Sequence, residues 1–259
     1  MAPLSLSACH PGSDTSTSAR LQTNAVADTA AAEQGYVAPP QVIKADVNSN
    51  GVISLNGAAA PSARVELQSP EGEGQSTTTQ KSGRWVLRLP AVSRPRMFAL
   101  SEIIDGRAVH AEGALIVLPR PAPAALLVRA GFGCLTLENG GARPSLTTID
   151  YDPGGFAAFS GTAQPGSTVR LSLDGAPAGL AQVDNMGRYA VLAANHRLSF
   201  GTHLAFIETA SGEIRRPFQL IQPGPLMSPY QATAEADGWR VEWAAPGGGV
   251  QTTLILTPQ

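Results

Sequence analysis

Apolar and polar residues alternate over much of the chain. Val65 and Leu67 are interleaved with Arg64, Glu66 and Gln68, and Val169, Leu171 and Leu173 with Arg170 and Ser172. In a third run Trp85, Leu87 and Leu89 fall on one side and Val86 and Arg88 on the other. A period of two sends successive side chains to opposite faces, so each run predicts a half-buried antiparallel strand. Gly, Pro, Asn and Asp bound these runs, which recur about every 8–15 residues, as in a β-sandwich. No window sustains an apolar period of 3.6 with caps. The best helical candidate, Ala25 to Gln34, reads as part of a loosely ordered tether.

The pattern also repeats. Unit one carries Gly57, Pro61, Val65, Leu67, Gly83 and Trp85; unit two carries Gly161, Pro165, Val169, Leu171, Gly187 and Tyr189, each 104 positions later. One ungapped offset over some thirty residues makes two copies of one module. The paired prolines Pro119/Pro121 and Pro223/Pro225 keep the same offset. The tails echo each other too, with Gly140-Gly141 then Thr147-Thr148 against Gly247-Gly248 then Thr252-Thr253. The expected organisation is a start and tether over 1–40, unit one over 41–144 with a strand-pair extension at 119–144, and unit two over 145–259 with an extension at 223–259.

The wording of unit two, Gly161-Thr-Ala-Gln-Pro165-Gly166-Ser-Thr-Val169, an Asp174-Gly175 turn, then Asp184-Asn-Met-Gly187-Arg188-Tyr189, resembles the bacterial Ig-like module of secreted and envelope proteins. In this reading Gly161 and Pro165-Gly166 turn the chain between strands, and Asp174-Gly175 supplies positive φ at a hairpin tip. The resemblance covers about 41–118 and 145–222 and implies two tandem Ig-like sandwiches. The fold class expected is therefore all-β, with an extra strand pair per module. Trp239, Val241 and Trp243 give the second pair an apolar face.

Composition agrees and narrows the function. The 259 residues include 27 glycines and 21 prolines, and charged residues make up only 15%, against about 25% in an average chain. That suits short strands and many turns. A net charge of −2 leaves no basic surplus for nucleic acid, and Arg215-Arg216 is too short a run to supply one. No run reaches the roughly 18 apolar residues of a membrane span.

Two cysteines, Cys9 and Cys134, form no disulfide framework and no zinc-like cluster. Leu6-Ser7-Ala8-Cys9 resembles the bacterial lipobox, which implies diacylglycerol on Cys9, a mature chain beginning there, and a membrane partner reached through that lipid. The Ser, Thr, Ala, Asp and Gln that follow suit a tether. Only Met1 to Ala8 precede Cys9, without Lys or Arg; either the true start lies upstream of Met1, as the lipoprotein reading requires, or the run is a chance match in a tail rich in small residues. In Gram-negative lipoproteins an Asp after the cysteine favours the inner membrane. His10 stands there instead, which implies the outer membrane, facing periplasm or exterior.

Candidate chemistry is sparse. Asp46-Val-Asn48-Ser-Asn50-Gly51 matches the first half of an EF-hand calcium loop, and Asp150 and Asp152 repeat the acid spacing. The closing carboxylate is missing, because Gly57 holds the twelfth position, and an Asx turn accounts for the same residues. His10, His110, His196 and His203 show no third ligand beside any pair. Gly131-Phe-Gly133 sits in a strand, and Cys134 reads as a small packed residue. No nucleophile elbow, metalloprotease motif or phosphate loop is present, so no catalytic residue and no cofactor are expected. Trp239, Trp243 and Tyr230 cluster near the end of the sequence. Either they form a stacking platform for envelope polysaccharide or peptidoglycan, or the two tryptophans are core. A non-catalytic envelope lipoprotein serving as spacer and protein-interaction surface is the first reading, and a glycan-binding module the second.

Overall fold

The structure, a computed structural model, describes residues 37–258. Cys9, His10 and the expected tether up to residue 36 lie outside the described residues. Unit one supplies β1 (Gln41–Val47), β2 (Ile53–Ala58), β3 (Arg64–Gln68), β4 (Gly74–Thr78), β5 (Arg84–Leu89), β6 (Arg96–Ile104), β7 (Arg107–His110) and β8 (Ala114–Val117). Its extension is β9 (Ala125–Arg129) and β10 (Gly133–Thr136). Unit two supplies β11 (Ser145–Tyr151), β12 (Ala157–Thr162), β13 (Thr168–Leu173), β14 (Ala176–Gln182), β15 (Arg188–Leu192), β16 (Gly201–Thr209) and β17 (Gly212–Leu220). Its extension has three strands where the sequence pattern predicts a pair: β18 (Tyr230–Glu235), β19 (Gly238–Ala244) and β20 (Val250–Leu256). Among the described residues there is no helix.

Each module is an Ig-like sandwich of antiparallel strands. In unit one the sheet β1-β2-β5 faces β4-β3-β6, with β7 and β8 sharing the far edge of β6. In unit two β11-β12-β15 faces β14-β13-β16-β17. The inward positions of the alternating runs fill the two cores, one around Trp85, Leu55 and Leu67, the other around Tyr189, Phe159 and Leu171. The hairpin tip Asp174-Gly175 has φ of 51° and 85°, the paired positive values that a two-residue turn requires.

The repeated glycine of each module works differently from expectation. Gly57 and Gly161 lie inside β2 and β12, directly across from Trp85 and Tyr189. A Cβ on Gly161 would come within 1.9 Å of the Ser145 carbonyl oxygen and 2.8 Å of the Tyr189 hydroxyl. The Tyr189 hydroxyl donates to that carbonyl at 2.7 Å. At Gly57 the same Cβ would fall 2.2 Å from the Trp85 ring. The repeat thus preserves a glycine–aromatic pair in which the ring takes the space a side chain would need.

The two extensions join different sheets. Strands β9 and β10 continue the β4-β3-β6-β8 sheet, whereas β20, β19 and β18 continue from β11. The sequence echo between the two tails does not carry over to position in the fold. The outer face of β8–β9–β10 packs on the outer face of the β11 sheet, forming a third apolar layer. Ile116, Leu126 and Val128 of unit one meet Tyr230, Val241, Trp243 and Ile255 of unit two there. Strands β8 and β9 consequently bury both faces, which is why Ala114-Leu-Ile-Val117 and Ala125-Leu-Leu-Val128 read as continuous apolar runs.

Gly161→Ala is expected to destabilise the protein by about 2 kcal/mol or more, since backbone would have to move. Gly166→Ala, at φ 75° with open space around it, should cost about 1 kcal/mol. Urea denaturation of both variants checks the order; equal losses would contradict the packing role of Gly161.

Candidate functional site at the seam between the modules

The third layer is not wholly apolar. A polar row crosses it where β10 lies against β11 and β12. At its start Gly133 (φ 80°) lets the strands approach, because a Cβ there would meet the Ala158 Cβ at 2.9 Å and the Ser160 hydroxyl at 3.0 Å. The Cys134 amide donates to the Ser160 hydroxyl at 3.2 Å. The Cys134 thiol donates to Oδ1 of Asp150 at 3.2 Å. The same Oδ1 accepts from the Thr253 hydroxyl at 2.6 Å, and that hydroxyl accepts from the Trp243 indole at 3.3 Å. Further along, the hydroxyls of Thr136 and Thr147 are 3.2 Å apart, and Thr147 donates to the Ser160 carbonyl at 3.0 Å.

Asp150 is the one carboxylate of the row. It is 4% exposed, and its Oδ2 has no partner among the described residues. Burial opposes its charged form and pushes its pKa up to about 6, although bonds from Thr253 and Cys134 act the other way. Burial, and the Asp150 charge beside it, push the Cys134 thiol up, so it stays protonated and poorly nucleophilic. The pair has the makings of a structural hydrogen bond rather than of an activated nucleophile.

A second polar contact closes the seam near Tyr230, whose hydroxyl donates to Oε1 of Glu71 at 2.8 Å. Glu71 also accepts from Ser69 at 2.6 Å and pairs with Arg96 at 3.3 Å. Those hydrogen bonds, the Ser69 one foremost, hold its carboxyl below the usual range.

The calcium candidates are not brought together. Oδ1 of Asn48 accepts the amides of Asn50 and Val52, both at 3.0 Å. Oδ1 of Asp152, its repeat equivalent, accepts the Phe156 amide at 3.1 Å. The first is an Asx turn and the second a turn bond. Asp46 points from β1 to Lys44 at 2.7 Å, and Asp150 faces the seam. Asn50 is exposed beside the Asn48 turn.

The aromatic candidates separate. Trp243 and Tyr230 are 4% and 7% exposed; a sugar could stack on neither without opening the seam. Trp239 is half-buried at the margin of the same layer. His203 bridges Asp174 (2.7 Å) and the Ser199 carbonyl (2.8 Å), which fixes the β16 hairpin neighbourhood. His110 is exposed on β7, and His196 lies on the loop after β15 with its Nδ1 buried.

Sequence reasoning missed the cleft where the polar row reaches the surface. It has a volume of about 440 Å³ and is lined by Thr136 and Thr147 from the row, by Arg120 and Glu138, and by Arg215 and Arg216 of β17. Arg216 is the fifth residue of a strand whose inward positions are otherwise Ile214, Phe218 and Leu220. A lone arginine in phase with apolar residues was the available signal. A smaller cleft of about 160 Å³ is lined by Phe218, Leu254, Leu256, Glu235 and Arg240. There Arg240 is already paired with Glu235 at 3.0 Å and Glu242 at 3.5 Å.

No protein-family model and no curated protein matches the sequence. Among solved structures the chain is similar to a biofilm-associated protein BSP domain at 11% identity and TM-score 0.27, covering 73% of this chain and 30% of that one. It is similar to a bacterial ice-binding adhesin at 14% identity and TM-score 0.22, covering 71% and 65%. It is also similar to invasin, a bacterial integrin-binding protein, at 9% identity and TM-score 0.22, covering 84% and 54%. The chain thus spans less than two thirds of the length of each of these three. Likenesses at these scores fix no role for it.

The raised Asp150 pKa carries a testable sign. Between the ordinary carboxylate value of 3.8 and about 6, the folded state holds a proton that the unfolded state has released. The associated stability is therefore complete below pH 4 and is lost as pH rises through 6. Two pKa units correspond to about 3 kcal/mol at most. Asp150→Asn should flatten this fall in urea-denaturation free energy between pH 4 and 7. A variant with the wild-type slope would contradict the assignment.

Proposed function

We propose that this protein is a non-catalytic cell-envelope lipoprotein, held to the outer membrane through acylated Cys9, whose two Ig-like modules serve as spacer and protein-interaction surface. The observation that carries the reading is the seam. A shared apolar layer with a directional polar row holds two sandwiches in one fixed relation, as a spacer must to present surfaces at a set separation. The Leu6-Ser7-Ala8-Cys9 run and the polar segment after it supply the anchor and tether.

The interaction surface lies on the outer side of unit two. Leu204 is 43% exposed on β16 and Leu180 is 68% exposed on the edge strand β14. Pro217 lies across from Leu204, and Arg215 stacks on Phe206 at 5.1 Å. Apolar contacts with a polar surround suit a protein partner. Strand β14 is also the free edge of its sheet, where a partner's strand can add.

Expression from the native gene, with its upstream DNA, tests the anchor. The wild-type protein should fractionate with membranes and carry a diacylglyceryl mass on Cys9, and Cys9→Ser should move it to the soluble fraction. Equal fractionation of the two would overturn the lipoprotein reading.

A further inference from the structure

The charged lining of the cleft at the mouth of the seam is three arginines against two glutamates. Arg120 pairs with Glu138 at 3.0 Å, and Arg215 lies 3.7 Å from Glu213. Arg216 is different. It is 6% exposed, and its Nε and Nη2 are buried without a hydrogen-bond partner among the described residues. Its carboxylate partner, Asp237, forms an ion pair of the same 3.7 Å length with Nη2, beyond hydrogen-bond reach, and is itself 71% exposed. A buried guanidinium left in this state is costly, because its donors have given up water for nothing.

We propose that this cleft is a binding site for a carboxylate monoanion, with Arg216 as its charged anchor. A guanidinium presents donors in a planar fork that matches a carboxylate. The charge balance favours one negative charge over two: Arg120, Arg215 and Arg216 on the lining stand against Glu138 and Glu213, a surplus of one positive charge. Glu138 and Glu213 on the lining would repel a dianion such as phosphate. Thr136 and Thr147 also line the cleft, so the wall beside the anchor is uncharged there. A volume of about 440 Å³ admits a ligand as large as an acidic monosaccharide. The site lies between residues of both modules, so occupancy should also stabilise the seam.

Thermal unfolding of the full chain tests this with four probes at matched ionic strength: acetate, glucuronate, phosphate and sodium chloride, with glucose as a neutral control. Binding to the folded state alone raises the melting temperature with concentration. Acetate and glucuronate should raise it over sodium chloride. Equal effects at equal concentration would identify the bare carboxylate as the ligand, and a larger glucuronate effect would identify a sugar acid. Arg216→Met, which keeps a long apolar side chain in the core position, should abolish the carboxylate response. Arg216→Lys, which keeps the charge without the fork, should weaken the apparent affinity at least tenfold. Should the Met variant fail to fold, the Lys comparison carries the test. A shift no greater than that of sodium chloride, a phosphate effect exceeding the carboxylates, or an undiminished response in the variants would overturn the proposal.

Discussion

Strands β8, β9 and β10 bury both of their faces, and the rest of the described body depends on this. One face completes the core of unit one through Leu115, Val117 and Ala125; the other forms the seam through Ile116, Leu126 and Val128. Their backbone groups pair with β6 and with each other, and on the free edge of β10 the Cys134 amide donates to the Ser160 hydroxyl, so the strands can sit between two apolar layers. Removing the seam would expose a three-stranded apolar face and the matching face of β19 and β20. The modules therefore stabilise each other, although each has its own core.

An apolar layer alone would hold the modules together without fixing their register, because the hydrophobic effect is non-directional. The polar row supplies direction. Cys134 and Thr136 must meet Asp150, Ser160 and Thr147 within hydrogen-bond reach, and Gly133 must lie over Ala158. The cost falls on Asp150, whose charge has lost its water and gained one hydroxyl and one weak thiol donor. The raised pKa expresses that cost directly. A protonated Asp150 relieves it, so the seam is tightest on the acidic side of neutrality.

Much of this was legible in the residues. The period-two runs located the sandwich strands, and the constant offset placed β1, β2, β3 and β5 against β11, β12, β13 and β15 at 104 residues. The Asx turn at Asn48 and the turn bond at Asp152 follow from side-chain oxygens two to four residues ahead of the amides they accept. Gly161 was misleading, since a glycine before Pro-Gly reads as part of a turn. Its actual reason, the hydroxyl of Tyr189 twenty-eight residues later, becomes visible only when β12 and β15 pair. Trp239 and Trp243 share one face of β19, as their spacing of four requires, but spacing cannot say which face is covered.

By itself the sequence determined the strand class, the two-module repeat and the hairpin chemistry, because these depend on neighbours within a few residues or on a repeated pattern. Tertiary structure decided everything at the seam. The two extensions, similar in wording, joined different sheets, and that choice buried Trp243, Tyr230 and Asp150 while leaving Arg216 at the wall of a cleft. Burial of a side chain depends on what lies on the far side of its sheet. For these residues that neighbour comes from the other module, some 16 to 159 positions away in the chain for the Cys134–Asp150 and Tyr230–Glu71 contacts. No local pattern encodes such a meeting.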